Sequence, residues 1–313
     1  MLAYVVSIFR HSDYVLRSFV VQILLFLRNC KLINLLKKII KNSLRWESRT
    51  KNEKNYLRRK LEKYKYYGRN LIATLFCLIP IPLTILLRLS GSDKHQPSGH
   101  LYGHTYARTF SRFRYRRVKM LEIGIGGYGY SLGGQSLTAW QAYFPFGKIV
   151  ACDIENRLEL NTIRTKIYKV DQSNKKDLDK IKNDEGLFDI IIDDGSHLSR
   201  HQKFTFLEMF DSLKDGGIYV IEDTMTSFWN FFGWDGAHID EANFCNTCVG
   251  YFLSIVPYLN ADEFQMERSV DRDLVKIASN IGSIKFEKNL IIIERNEGSK
   301  GETAIHRLRA VEK

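Results

Sequence analysis

The sequence predicts an α/β fold built on a mostly parallel sheet. Three observations predict it. Short apolar, β-branched runs alternate with longer helical stretches between residues 118 and 222. Each of these runs ends in a glycine or an acid. The pattern then closes on two apolar runs joined by a tight turn. Alternation of this kind argues for a parallel sheet covered by helices on both faces.

The strands follow in order. Val118–Gly124 is the first, Lys148–Asp153 the second and Lys166–Asp171 the third. Phe188–Asp193 is the fourth and Gly217–Glu222 the fifth, with a helical stretch from Arg200 to Leu213 between them. Ile284–Glu294 reads as two more strands around a turn at Lys288 and Asn289. Such a hairpin adds an antiparallel edge to the sheet and brings it to seven strands. The tail after Arg295 is polar and expected to fray.

The rest of the 313 residues divides by charge. The formal net charge is +12, yet residues 1–70 hold 17 Lys/Arg against 4 Asp/Glu, a net of +13. The basic character therefore belongs to the amino-terminal segment, and a nucleic-acid partner is not expected for the remainder. Three zones result: a basic, apolar helical extension over 1–90, an α/β domain over 91–298 and a polar tail over 299–313. Leu32, Ile33, Leu35, Leu36, Ile39 and Ile40 recur at near-helical spacing among lysines. Two readings fit: a helical cap on the main domain, or an amphipathic helix lying on an anionic membrane surface. Leu71–Leu87 is 17 uncharged residues, at the lower limit for a span, but Pro80 and Pro82 interrupt it. The expectation is a cytoplasmic protein held peripherally at the inner membrane face; the competing reading is a buried helix pair. No signal peptide is predicted. The five cysteines form no disulfide framework, and the lone Cys245-Asn-Thr-Cys248 pair is weak evidence for zinc.

The chemistry concentrates at strand ends, where open α/β sheets bind ligands. The first strand runs into Gly124-Ile-Gly126-Gly127, a turn that lets backbone approach a ligand closely. The second strand ends in Asp153, suited to the two hydroxyls of a ribose, and the third in Asp171-Gln172-Ser173, which could address an adenine. Together they indicate a nucleoside ligand. Glu122 would repel a pyrophosphate but suits a ligand amino group, which favours S-adenosylmethionine over a dinucleotide. The fourth and fifth strands end in Asp193-Asp194-Gly-Ser-His197 and Glu222-Asp223. That gathers up to four carboxylates and an imidazole around one cleft. So many like charges require a cation, and hard oxygen ligands favour Mg²⁺, Ca²⁺ or Mn²⁺ over zinc.

On these residues the sequence resembles the metal-dependent sugar O-methyltransferases of macrolide antibiotic biosynthesis. The matching stretches are Gly91-Ser-Asp-Lys94, His100-Leu-Tyr102, Leu121–Gly127, Gly134-Gln-Ser-Leu137 with Trp140, Asp171–Ser173, Ile192–His197 and Val220–Asp223. The resemblance implies a Rossmann-like class I methyltransferase that moves a methyl group from S-adenosylmethionine to a sugar or glycoside hydroxyl. It implies magnesium on Asp194, Glu222 and Asp223, with His197 as general base. It implies a donor pocket lined by Glu122, Gly124, Gly126, Gly127, Ser136, Asp153, Asp171, Gln172 and Ser173. His201, one helical turn beyond His197, is a weaker candidate for substrate contact. A homo-oligomer is compatible with the resemblance. The competing readings are another vicinal-diol or catechol-like acceptor, a nucleic-acid methyltransferase, and a membrane-tethered binding protein. The intact acidic constellation argues against the last.

Overall fold

The computed structural model describes residues 50–96, 100–127, 131–230, 244–263 and 271–297. The amphipathic segment at Leu32–Ile40 and the tail beyond residue 297 lie outside them. The chain divides between Leu61 and Glu62, and the unit beginning at Glu62 carries the sheet.

Seven strands form one sheet: β1 (Lys119–Ile123), β2 (Lys148–Asp153), β3 (Thr165–Lys169), β4 (Phe188–Asp193), β5 (Leu213–Glu222), β6 (Ile281–Glu287) and β7 (Leu290–Arg295). Their order is β3-β2-β1-β4-β5-β7-β6. The first five pair in parallel, β7 runs antiparallel to β5, and β6 runs antiparallel to β7. This is the mostly parallel sheet with a terminal hairpin that the sequence predicts. Asn289 makes the hairpin turn at φ 63°, a left-handed conformation that asparagine tolerates.

One boundary differs from expectation. The helix before β5 ends at Met209, and β5 begins at Leu213 rather than Gly217. Lys214-Asp-Gly-Gly reads as a turn, but a register shift between Phe188 and Ile190 absorbs the extra residues and keeps Leu213 paired with Phe188.

Side chains alternate across the sheet with a period of two. Met120, Ile149, Ile190, Ile192, Ile218, Val220 and Ile292 face one layer; Leu121, Ile123, Val150, Ile191, Tyr219, Ile221 and Ile293 face the other. The first layer is made by α2 (Leu83–Ser90), α3 (Gly103–Phe110) and α4 (Gln135–Tyr143), through Leu83, Leu87, Phe110 and Trp140. It also takes Tyr66 from α1 (Lys51–Phe76), whose hydroxyl donates to the Leu160 carbonyl. The second layer is made by α5 (Lys175–Glu185), α6 (Ser199–Met209), α7 (Cys248–Ile255) and α8 (Arg272–Ala278), through Ile181, Phe206, Phe252 and Ala278. Cys248 is buried in this layer and Cys245 is exposed, both as free thiols.

The apolar stretch Leu71–Leu87 is two helices around a proline turn. α1 ends at Phe76 and α2 starts at Leu83 behind Pro82. Arg114 donates to the Ile81 carbonyl at 2.8 Å and fastens the turn. Leu83, Leu86 and Leu87 are buried in the first layer, whereas Leu71 and Leu78 are exposed. No helix among the described residues is long and apolar enough to cross a membrane.

Beneath the amino ends of the strands, Glu185 closes α5 and is almost fully buried. Its carboxylate receives Lys148 of β2 at 2.7 Å, Lys166 of β3 at 2.9 Å and the Tyr168 hydroxyl at 2.8 Å. Burial alone would raise its pKa, but the hydrogen bonds from Lys148, Lys166 and Tyr168 win and lower it to about 2. A depressed carboxylate pKa stabilises the fold above the unfolded value and loses that contribution as pH falls through the folded value. Glu185→Gln is therefore expected to cost about 1–2 kcal/mol at neutral pH, a modest figure because the lysines are half-exposed and screened. The deficit relative to wild type should shrink below the ordinary glutamate pKa of 4.5 and vanish near pH 2. Urea denaturation across that range checks it; a deficit independent of pH would refute the ion-pair role.

Candidate active site

The strand order reverses at β1, which has β2 on one side and β4 on the other. The crevice above the carboxyl ends of such strands is the place where an open α/β sheet admits a ligand. Alternation decides which acids reach it from which side. Glu122 follows Met120 onto the first-layer face, and Glu222 follows Ile218 and Val220 onto the same face. Asp193 shares its face with Ile191 and points into the second layer. There it accepts from Gln172 at 3.1 Å and from the Gly195 amide at 3.3 Å. It does not join the acids of the cleft, contrary to the expectation that all the strand-end acids would gather. Burial raises its pKa to about 7.

A lysine stands among the remaining acids. α2 ends at Gly91 in a left-handed cap at φ 79°. The following turn, held by the Lys94 amide on Ser92 Oγ, sends the Lys94 side chain inward until it is 2% exposed. Its ammonium lies 2.5 Å from Asp194 Oδ2, 2.7 Å from Glu222 Oε1 and 3.4 Å from Glu122 Oε1. Burial opposes the charge, but Asp194, Glu222 and Glu122 overcome it and hold the Lys94 pKa well above its usual value. One ammonium does not neutralise these carboxylates. Asp194 and Glu222 are still pushed upward, first by burial. Glu122 rises to about 7, again chiefly by burial. The cluster is short of positive charge even with Lys94 in place.

Two tyrosines, one on α3 and one at its start, complete the acid side. Tyr106 donates to Glu222 Oε1 at 2.5 Å, and Tyr102, four residues earlier and just before the helix, donates to Asp223 Oδ1 at 2.5 Å. His100 stacks on Tyr102 with centroids 4.7 Å apart and brings Nε2 to 3.3 Å from Asp223 Oδ1.

Asp194, His197 and Asp223 offer donor atoms that all lie within 4.8 Å of one another. Two hard carboxylate oxygens and an imidazole fit a divalent cation such as Mg²⁺ or Mn²⁺. Glu222 is not in this convergent set; its carboxylate is engaged by Lys94 and Tyr106. His197 and Asp223 both adopt left-handed backbone, at φ 58° and 54°. Such strain costs about 1–3 kcal/mol each and persists where the surroundings over-determine it, characteristically at functional sites. Here Thr226 ties the two residues, its hydroxyl lying 2.8 Å from the His197 carbonyl and 2.9 Å from that of Asp223. His197 Nε2 is 3.7 Å from Asp223 Oδ2, too long for a hydrogen bond, and Nδ1 has no partner among the described residues.

The other half of the crevice is lined by a buried acid, a glycine turn and the acids that end β2 and follow β3. Glu122 Oε2 accepts from Ser136 at 2.9 Å and from the Trp140 indole at 3.0 Å, while Oε1 is a buried acceptor with no hydrogen bond. Gly124 has φ 80°, and a Cβ there would strike the Asp194 carbonyl at 2.1 Å, so the chain after β4 can cross it only because it is glycine. Gly126 has φ 67° and faces open space. Gly127 turns the loop back and accepts from Arg157. Asp153 stands at the end of β2, gripped by the amides of Ile125 at 3.1 Å and Glu155 at 2.8 Å. Asp171 holds the Ser173 amide and hydroxyl, at 2.9 and 2.7 Å. Gln172 is spent within the protein: it donates to Asp193 and Thr205 and accepts from the Ser196 amide at 2.6 Å. His201 is likewise tied locally, with Nδ1 2.9 Å from Ser196 Oγ.

Sequence reasoning missed Lys94, His100, Tyr102 and Tyr106 as site residues. Lys94, His100 and Tyr102 sit in two of the stretches that carry the resemblance, but those stretches are far from any strand end in sequence. Tyr106 carried no signal beyond its helical spacing from Tyr102.

No protein-family profile matches the chain. Individual relatives do. Mycinamicin VI 2''-O-methyltransferase of Micromonospora griseorubida is 32% identical over 203 residues, covering 64% of this chain and 50% of that protein. The 8-demethyl-8-alpha-L-rhamnosyl tetracenomycin-C 2'-O-methyltransferase of Streptomyces olivaceus is 36% identical over 220 residues, covering 70% and 56%. The crystal structure of MycE, the mycinamycin-pathway methyltransferase, in complex with Mg, SAH and mycinamycin VI superposes with a TM-score of 0.61 at 30% identity, covering 71% of this chain and 56% of that one. The chain spans about half the length of the curated relatives it matches. Over the greater part of its own length, it is thus similar in sequence and fold to sugar O-methyltransferases, one of them crystallised with magnesium and S-adenosylhomocysteine.

Proposed function

We propose that this protein transfers a methyl group from S-adenosylmethionine to a hydroxyl of a sugar or glycoside, with a bound magnesium ion. The observation that carries the reading is the pair of carboxylates Asp194 and Asp223 at the ends of β4 and β5, with the His197 imidazole beside them, all offering atoms within 4.8 Å of one another. That site lies beside a donor-side crevice ending in Glu122, whose Oε1 accepts no hydrogen bond. When bound, the metal supplies Lewis acidity to an acceptor hydroxyl and the sulfonium donor supplies the methyl group.

The chain's own residues do the rest. Asp194 and Asp223 would hold the metal, and Glu222, kept outside the convergent set by Lys94 and Tyr106, is the remaining carboxylate available to it. Glu122, oriented by Ser136 and Trp140, receives the donor's amino group. Asp153 takes the ribose hydroxyls, and Asp171 with Ser173 borders the base. Gly124, Gly126 and Gly127 shape the wall between them, and Gln172 fixes that wall to the loop after β4. His197, beside the Asp194 and Asp223 carboxylates, takes the acceptor proton on an imidazole nitrogen, the work of a positioned general base. Holding both reactants in one crevice supplies the orientation that displacement at a methyl carbon requires.

Labelled methyl transfer into a panel of glycosides is expected in the presence of Mg²⁺, to vanish in excess EDTA and to return with Mg²⁺. Asp223→Asn should give the same loss, since asparagine tolerates the left-handed backbone and leaves the Lys94 ion pairs intact. Full turnover in EDTA would refute the metal. Asp153→Asn keeps an acceptor for the turn amides but removes a charged ribose partner. S-adenosylhomocysteine affinity should fall by about 1.5–3 kcal/mol; unchanged affinity by calorimetry would remove Asp153 from the donor site. His197→Asn is expected to lower the single-turnover rate by about 10²–10⁴-fold with donor affinity preserved. A near-wild-type rate would exclude His197 as the base.

A further inference from the structure

Lys94 belongs to neither the donor set nor the metal set, yet it is the most deeply buried cation of the crevice. It draws together carboxylates from three separate strand ends: Glu122 in the last residues of β1, Asp194 after β4 and Glu222 at the end of β5. We propose that Lys94 is a positioning residue, a built-in counter-cation that holds Asp194 and Glu222 together before a metal arrives and competes with the metal for them. The inference rests on the metal reading above.

The physical argument has two sides. Asp194 and Glu222 face one another in a low-dielectric setting, and two ionised carboxylates there repel strongly unless a positive charge lies between them. Lys94 supplies that charge at 2.5 and 2.7 Å, so the crevice can fold with its acids in place. The same fixed charge lies against the oxygens a divalent ion would use, and like charges at such range oppose its entry. Glu122, Asp194, Glu222 and Asp223 outnumber the single ammonium, so the site still attracts a dication, but less strongly than the same acids would without Lys94. A lysine with only a packing role would, when replaced, weaken folding and metal binding alike. A competing counter-cation predicts the opposite for the metal: its removal tightens binding.

The test uses the full chain as wild type, Lys94→Gln and Lys94→Met. Mn²⁺ affinity is read by electron paramagnetic resonance and melting temperature by scanning fluorimetry, in EDTA and in Mn²⁺. Both variants are expected to bind Mn²⁺ about tenfold or more tightly than wild type, from the charge removed at close range. They should melt lower than wild type in EDTA and gain more from saturating Mn²⁺ than wild type does, as ligand linkage requires. Folded variants with equal or weaker Mn²⁺ affinity would overturn the proposal. So would variants that stay unfolded even in millimolar Mn²⁺, because the metal should replace the missing charge. Wild type that binds no Mn²⁺ would strike instead at the metal reading, and this inference would fall with it.

Discussion

Carboxylates crowded into the mouth of a buried sheet must be neutralised, and the arrangement of this crevice follows from that constraint. The strand ends deliver Glu122, Asp194, Glu222 and Asp223 to one cleft, three of them around the ammonium of Lys94. Hydroxyls from Tyr102 and Tyr106 and the indole of Trp140 add hydrogen bonds. Even so, burial holds Glu122, Asp194 and Glu222 above the usual carboxylate range. The positive charge that is still wanting gives the site its chemical character, because both a divalent cation and a sulfonium donor would bring some of it.

Packing sets the geometry in which this happens. The first helix layer contributes Tyr106 and Trp140, and the turn after α2 contributes Lys94, so residues that roof the sheet also line the site. The chain after β4 crosses Gly124 so closely that any side chain there would collide with it. Left-handed backbone at His197 and Asp223 brings an imidazole and a carboxylate to face one another across two loops. The layer that roofs the site includes α2, the second half of the apolar stretch Leu71–Leu87, so part of a segment with membrane-like composition forms the wall of the fold.

The relatives share this α/β portion but are about twice as long as the stretch that matches.

Much of the architecture was legible in the sequence. Strand periodicity, the acids at each strand end and the terminal hairpin around Lys288 and Asn289 are local features, and local sequence decides them. The placement of Asp194, His197 and Asp223 in one cleft followed from topology, since adjacent parallel strands end side by side. The start of β5 was misread because Lys214-Asp-Gly-Gly looks like a turn, and only pairing with Phe188 keeps it in the sheet. Asp193 and Asp194 were indistinguishable as neighbours in sequence; the pleat sent the first into the second helix layer. The central cation was invisible for a different reason. Lys94 is 100 residues from Asp194 and 128 from Glu222, and a lysine in a polar turn has no local property that separates an exposed charge from a buried one. Its role exists only because α2 docks on the sheet and drives its ammonium among acids that repel one another without it.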